Sequence, residues 1–186
     1  MTYLITPPEQ DVVKQHIILP ASKSISNRAL LIRALAHSDA PLHNVSDCDD
    51  TKVMLAALQD NPEVVDIGAA GTAMRFLTAY YAIQEGETHI LTGTQRMKER
   101  PIAPLVDALN ELGADITYVE KEGFPPLRIK GKKLNGGEVE VPGDISSQYI
   151  SALLMIAPCL NGPLEISLRG EISSLPYINM TIRLMR

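Results

Sequence analysis

The chain has 186 residues, 45% of them hydrophobic, enough for one good core or two small ones and incompatible with a disordered or collagen-like polypeptide. Lys and Arg number 17 against 22 Asp and Glu, a net charge of −5, so an anionic ligand needs a local basic cluster, and sequence-independent nucleic-acid binding is not expected. Cys48 and Cys159 lack metal-type spacing, MTYLITPPEQDVVKQ does not read as a secretory segment, and the longest proline-free apolar run, residues 152–157, is far short of the roughly 20 residues of a membrane span; a soluble protein of the reducing cytosol is expected.

In chain order, apolar residues 16–19, broken by Pro20, predict a strand, and Ile25, Ala29, Ile32 and Ala36 the apolar stripe of a helix. Residues 42–45 read as a strand, and Asp49 and Asp50 as N-caps of a helix carrying Val53, Met54, Ala57 and Leu58. A strand at 64–67 leads through Gly68 and Gly71 into a helix with Met74, Leu77, Thr78 and Tyr81 on one face. A strand at 87–91 precedes a helix with Pro101 in its first turn, the stripe Ile102, Leu105, Leu109 and Leu112, and a stop at Gly113. Residues 114–119 and 127–130 read as paired strands around the Gly123-Phe-Pro-Pro126 turn. After a strand at 138–141, Ser146 and Ser147 open a helix bearing Ile150, Leu153, Leu154 and Ala157; a strand at 164–168 precedes a last helix with Pro176 at its start. The fold class is α/β, or α+β.

Three stretches, beginning near Ser24, Gly71 and Ser146, share one plan: a helix with a small polar start, a strand, a polar loop and a second helix. The first copy looks shortened. The third ends at Arg186 with the stripe Tyr177, Met180, Thr181 and Leu184 still running and no glycine cap, so the chain reads as the amino-terminal piece of something longer.

In Pro20-Ala-Ser-Lys-Ser-Ile-Ser-Asn-Arg28, helical side chains lean toward the amino end, so Arg28 reaches back toward Ser24 and the unpaired N–H groups of the first turn, beside Lys23. With the positive end of the helix dipole this makes an anion site suited to phosphate. Ala69-Ala-Gly-Thr-Ala-Met-Arg75 repeats the theme: Gly71 permits close backbone approach and Thr72 adds a hydroxyl. It is not a nucleotide P-loop, because GxxxxGK[ST] is absent. Ser146, Ser147 and Gln148 bring two hydroxyls and an amide to the third start. Arg96-Met-Lys-Glu-Arg-Pro101 puts three cations into five residues, and the repeat carries this loop to the same end of the sheet, where Arg96 and Arg100 could clamp a carboxylate or phosphate. The four histidines lack ligand spacing and there is no GxSxG elbow; Asp47, Asp49 and Asp50 are a weak metal candidate, and a carboxylate there could orient Lys23.

PASKSISNRALL, DCDDTKVML, AGTAMRFL, RMKERPIAPLVDAL, PPLRIKG, DISSQYISALLM and SLPYINMT resemble, in order, the signature segments of the EPSP synthase family and cover nearly the whole chain. The resemblance implies an inverse α/β barrel of repeated βαβαββ-type units in each of two domains, with helix starts facing an interdomain cleft. Residues 21–186 would then be most of the shikimate 3-phosphate-binding domain, and residues 1–20 the start of the other domain or its connecting strand. The family transfers the enolpyruvyl group of phosphoenolpyruvate to the 5-hydroxyl of shikimate 3-phosphate, without metal or organic cofactor, as a cytoplasmic and monomeric enzyme. Ser24, Arg28, Ser146, Ser147, Ser174 and Tyr177 resemble contacts to shikimate 3-phosphate, with Gln148 along its ring; Lys23, Gly71 and Arg100 resemble contacts to phosphoenolpyruvate, with Thr72 and Arg96 nearby.

Ala69 stands where the family commonly has asparagine and Phe76 where it has proline. The first removes a hydrogen bond near the enolpyruvate; the second changes packing behind the site where the inhibitor glyphosate binds. The family's acid/base carboxylates have no counterpart in these segments, so the chain alone is expected not to turn over. Two other readings are a UDP-N-acetylglucosamine enolpyruvyl transferase relative, which lacks SKSxSNR and RMKERP, and a non-catalytic phosphate-binding domain.

Overall fold

The computed structural model describes residues 2–4, 6–7, 14 and 16–186. Helices α1 (Lys23–Leu35) and α2 (Asp49–Asp60) come first and pack on each other. Next come β1 (Val64–Asp66), α3 (Gly71–Ala82), β2 (Thr88–Thr92), the short α4 (Gln95–Lys98), α5 (Ala103–Glu111), β3 (Asp115–Tyr118) and β4 (Leu127–Lys130). Their four strands form one sheet in the order β1-β2-β4-β3, parallel between β1 and β2 and antiparallel elsewhere. This is one complete βαβαββ unit. The remaining elements, β5 (Asn135–Pro142), α6 (Ser147–Ile156), a 3-10 turn (Ala157–Cys159), β6 (Asn161–Arg169) and α7 (Leu175–Leu184), supply a parallel β5-β6 pair and two helices.

The four-stranded sheet buries one face: Val65, His89, Leu91, Ile116, Leu127 and Ile129 point inward, while their neighbours along each strand are open or half-open. Helix α3 is the centre of the molecule. Of its 12 residues only Tyr80 is not buried, as an all-round apolar pattern requires. It packs against α1, α2, α5 and α6, so its amino end lies among theirs.

Several expectations need correction. Residues 16–19 and 42–45 form no strand, and Ile17, Ile18 and Leu19 are exposed. Neither segment has a ladder partner among the described residues, and an apolar run without one cannot satisfy its backbone as a strand. Cys48, not an aspartate, occupies the N-cap of α2; Asp49 and Asp50 follow in the first turn. Pro101 precedes α5, whose early-turn proline is Pro104. The stripe assigned to α1 is not its buried face: Ser26, Asn27, Arg28, Leu30 and Leu31 are buried, and Ile25 is 44% exposed. On α7 the buried residues are Ile178 and Thr181, while Tyr177 lies open.

The turn between α2 and β1 is held by Glu87, just before β2. Its carboxylate accepts from Asn61 Nδ2 at 2.9 Å and faces His89 Nε2 at 3.0 Å, while His89 Nδ1 meets the Pro62 carbonyl at 2.8 Å. Hydrogen bonds from Asn61 and then His89 hold the Glu87 carboxyl below its usual pKa. A depressed folded pKa stabilises fully above the unfolded-state value, about 4.3, and that share is lost as pH falls through the folded one. Glu87→Gln is therefore expected to lower Tm near pH 7, with the gap to wild type closing below about pH 4. Thermal melts across this range test it; a gap independent of pH would contradict it.

Candidate functional site

Five helix starts converge. Ser22, rather than Ser24, caps α1, its Oγ accepting from the Ile25 N–H, so the Ser24 hydroxyl is not the cap. Lys23 begins the helix, its Nζ 3.6 Å from Asp50 Oδ1. Asp50 also accepts from the Thr72 N–H at 3.4 Å, joining the tips of α1, α2 and α3. Helix α3 has no side-chain cap, and Gln148 Nε2 of α6 donates to Thr72 Oγ1 at 3.2 Å. Ser146 caps α6 through the Gln148 N–H, and α7 starts from Ser174, a left-handed residue with φ of 56° and no side-chain cap bond.

Lys23, Ser24, Arg28, Thr72, Ser146, Ser147, Gln148, Ser174 and Tyr177 line one cavity of about 330 Å³. A second, of about 470 Å³, is lined by Ala69, Arg96, Met97 and Arg100. The two lie on either side of the start of α3. Arg100 lies against Gly71, so closely that a Cβ at Gly71 would run into the guanidinium, and Gly71 adjoins Thr72 of the other cavity. The third cation of the loop, Lys98, turns away to Glu120 at 2.5 Å. Arg96 and Arg100 therefore remain as the loop's cations facing the cavity.

Two further arginines are enclosed behind the cavities. Arg28, 2% exposed, donates from Nη1 to the Ser24 carbonyl, from Nε to Thr181 Oγ1 and from Nη2 to Ser151 Oγ. Arg75, 4% exposed, donates from Nη1 to the Gly71 carbonyl and from Nη2 to the Pro101 carbonyl, its charge lying over the Tyr149 ring. Tyr149 OH donates to the same Pro101 carbonyl at 2.6 Å. Neither arginine has a carboxylate within ion-pair distance among the described residues. Burial lowers the pKa of Arg28, partly offset by Tyr177; burial, then Arg75, with Arg96 adding a smaller share, lowers that of Arg100. Like charges crowded in this way leave a positive potential that a bound anion relieves.

Of the residues singled out in the sequence, nine share the first cavity, Arg96 and Arg100 share the second, and Gly71 stands between them under Arg100. Asp50 meets Lys23 as a carboxylate at that helix start was expected to. Among the described residues no group of three His, Cys, Asp or Glu side chains could hold a metal ion. A profile of the EPSP synthase (3-phosphoshikimate 1-carboxyvinyltransferase) family matches residues 8–60 and 59–186. The chain belongs to this family.

It is 60% identical over 186 residues to a 3-phosphoshikimate 1-carboxyvinyltransferase of Bacteroides fragilis strain YCH46, an alignment that takes in all of this chain and 45% of that relative. A namesake from Shewanella halifaxensis is 45% identical over 195 residues, covering 91% of this chain and 46% of the relative. The chain thus spans just under half the length of the curated relatives it matches. EPSP synthase from Acinetobacter baumannii shares its fold, with a TM-score of 0.74 and 21% identity over 88% of this chain and 42% of that one.

Sequence reasoning missed Arg75, Tyr149, Ser151 and Thr181 as parts of this arrangement. For Arg75 the signal was present: it stands four residues after Gly71, as Arg28 stands four after Ser24, and the same backward lean applies. The two hydroxyls gave none, since a serine and a threonine inside helices read as ordinary packing.

Gly71→Ala adds a methyl where the Arg100 guanidinium lies, and that group is the far end of a flexible side chain. The variant is expected to keep its Tm, since alanine gains about 1 kcal/mol of helix propensity over glycine. Its Arg100 should be displaced from the second cavity, which a crystal structure of the variant would reveal; an unmoved Arg100 would contradict the packing.

Proposed function

We propose that this chain forms the shikimate 3-phosphate-binding half of an enzyme that transfers the enolpyruvyl group of phosphoenolpyruvate to the 5-hydroxyl of shikimate 3-phosphate, releasing phosphate. Residues 21–186 make most of that domain, and residues 1–20 are the start of the other domain or of its connection. The observation that carries the reading is two neighbouring cavities at converging helix starts, one lined by Lys23, Arg28, hydroxyls and the Gln148 amide, the other by Arg96 and Arg100.

In this reading Ser24, Arg28, Ser146, Ser147, Ser174 and Tyr177 hold shikimate 3-phosphate, with Gln148 along its ring. Gly71, Thr72, Arg96 and Arg100 hold phosphoenolpyruvate. The hydroxyl oxygen bonds to the enolpyruvyl carbon that carries the phosphate oxygen, the hydroxyl losing its proton and the methylene carbon gaining one. The tetrahedral intermediate then loses phosphate by cleavage of that carbon–oxygen bond and a proton from the same methyl carbon, which restores the double bond. Lys23 lines the first cavity, its ammonium placed by Asp50, and in this reading it neutralises charge on both ligands as the intermediate forms and phosphate departs. The groups that move protons at carbon lie outside these residues. The reaction needs no cofactor in this reading, and the enzyme works as a cytoplasmic monomer.

Calorimetry on the 186-residue chain is expected to show shikimate 3-phosphate binding at millimolar ligand or below, lost in Lys23→Ala and Arg28→Ala, with none for UDP-N-acetylglucosamine. No heat of binding at millimolar shikimate 3-phosphate would sink the assignment. With both substrates present the chain alone is expected to release no phosphate; release would place the proton-transferring groups within these residues. In an enzyme complete with its second domain, Arg100→Ala is expected to weaken phosphoenolpyruvate by about 2 to 4 kcal/mol, read as kcat/KM, since it removes a charged partner from an enclosed anion.

A further inference from the structure

Arg28 does not hang freely in the cavity it lines. Its Nε donates to Thr181 Oγ1 at 2.7 Å, and its Nη2 to Ser151 Oγ at 2.9 Å. The two hydroxyls are themselves 2.9 Å apart, and both residues are 0% exposed. They come from different helices, Ser151 from α6 and Thr181 from α7, so the pair is assembled only when both dock beside α1. The Phe76 ring lies 5.3 Å from the guanidinium carbon and the Tyr177 ring 5.9 Å. Nη1 donates backward to the Ser24 carbonyl at 2.9 Å.

A guanidinium has five N–H groups. Three are held by these partners, which leaves one on each terminal nitrogen to offer an oxyanion. Neither Ser151 nor Thr181 lines the cavity. A free arginine side chain samples many rotamers, and ligand binding that fixes it costs that entropy. A clamp that removes it before a ligand arrives raises affinity without touching the ligand.

We propose that Thr181 and Ser151 are positioning residues: their hydroxyl pair sets the Arg28 guanidinium so that its two remaining N–H groups serve the anion cavity. This rests on the reading that Arg28 holds shikimate 3-phosphate. A packing role alone would put Thr181 at the same depth but would not need its oxygen. The Thr181 hydroxyl also lies 3.0 Å from the Tyr177 carbonyl, a common helical back-bond, and that contact uses its hydrogen rather than the lone pair that receives Arg28.

The test uses the 186-residue chain with two readouts. In calorimetry, Thr181→Val keeps the shape and removes the oxygen; it is expected to weaken shikimate 3-phosphate about tenfold, the usual order for one hydrogen bond to a charged group. Ser151→Ala is expected to do the same, and Thr181→Ser to restore affinity to within about twofold, because it returns the oxygen without the methyl. Thr181→Val binding as tightly as wild type, or Thr181→Ser as poorly as Thr181→Val, overturns the proposal. In NMR without ligand, the Arg28 Nε–H is expected to exchange slowly in wild type and Thr181→Ser and rapidly in Thr181→Val; rapid exchange in wild type overturns the clamp whether or not ligand binds. Absent calorimetric binding in wild type together with a protected Nε–H defeats the ligand assignment and leaves the clamp standing. Should Thr181→Val not fold, Thr181→Ser and Ser151→Ala carry both readouts.

Discussion

The constraint that organises this molecule is local: in a chain of net charge −5, positive charge gathers at one end of its helices with too little carboxylate beside it. Helix starts already carry partial positive charge on their unpaired N–H groups. Into that end the chain also places Arg28 and Arg75, both enclosed and without an ion-pair partner among the described residues. Each is held by the same device: the side chain reaches back one helical turn and donates to the carbonyl at the helix start, Ser24 for Arg28 and Gly71 for Arg75. A buried cation bonded only to carbonyls and hydroxyls is solvated but not neutralised. Asp50 is the exception, and its carboxylate goes to Lys23 and the Thr72 N–H rather than to either buried arginine.

That constraint accounts for an otherwise odd division of labour among helices. Stability comes from elements remote from the cavities: α3 buried on nearly all sides, the single buried face of the four-stranded sheet, and the apolar body of α6. The starts of the same helices are polar and keep unfavourable groups, among them Asn27 Nδ2 and Arg75 Nε, buried without a hydrogen-bond partner. Each such donor costs about 1 to 3 kcal/mol. The core behind these helix starts has to offset such costs.

The same logic explains which parts of the structure could be read in the sequence. Strands with partners and helices with wholly apolar stripes were legible: β1 to β6, α3, α5 and the stop at Gly113 all stand within a few residues of their expected places. The stripe on α1 was misread because hydrophobicity is the wrong guide there. Its buried face carries Ser26, Asn27 and Arg28, whose polar groups are met inside by the Ser46 N–H, by Thr51 and by Thr181 with Ser151, while Ile25 is left outside. Residues 16–19 and 42–45 have strand composition, yet composition cannot supply a neighbouring ladder, and pairing is a property of the whole sheet. The residues that gather at the cavities were legible at each helix start because the unpaired N–H groups and the backward lean of side chains follow from local geometry. What tied the starts together, the Ser151 and Thr181 hydroxyls, lies 123 and 153 residues from Arg28 and follows only from tertiary packing.

Phe76 shows how a local substitution propagates through such an arrangement. It stands one residue after Arg75 on the central helix and is wholly buried. Its ring lies 5.3 Å from the Arg28 guanidinium, so the aromatic face gives a cation without a counter-ion some of the negative potential it lacks. A proline at this position, as the family commonly has, offers no such face and removes a backbone donor from the helix. The residue therefore joins two of the repeats: a side chain on the start of α3 supports a charge on the start of α1. Ala69, at the mouth of the other cavity, works in the opposite sense, since a methyl takes no hydrogen bond and leaves Arg96 and Arg100 as the polar side chains lining that cavity. With Phe76 against Arg28 and Ala69 lining the other cavity, this chain offers more fixed guanidinium charge, and fewer neutral hydrogen-bonding side chains, than an asparagine-and-proline version of the same helix start would.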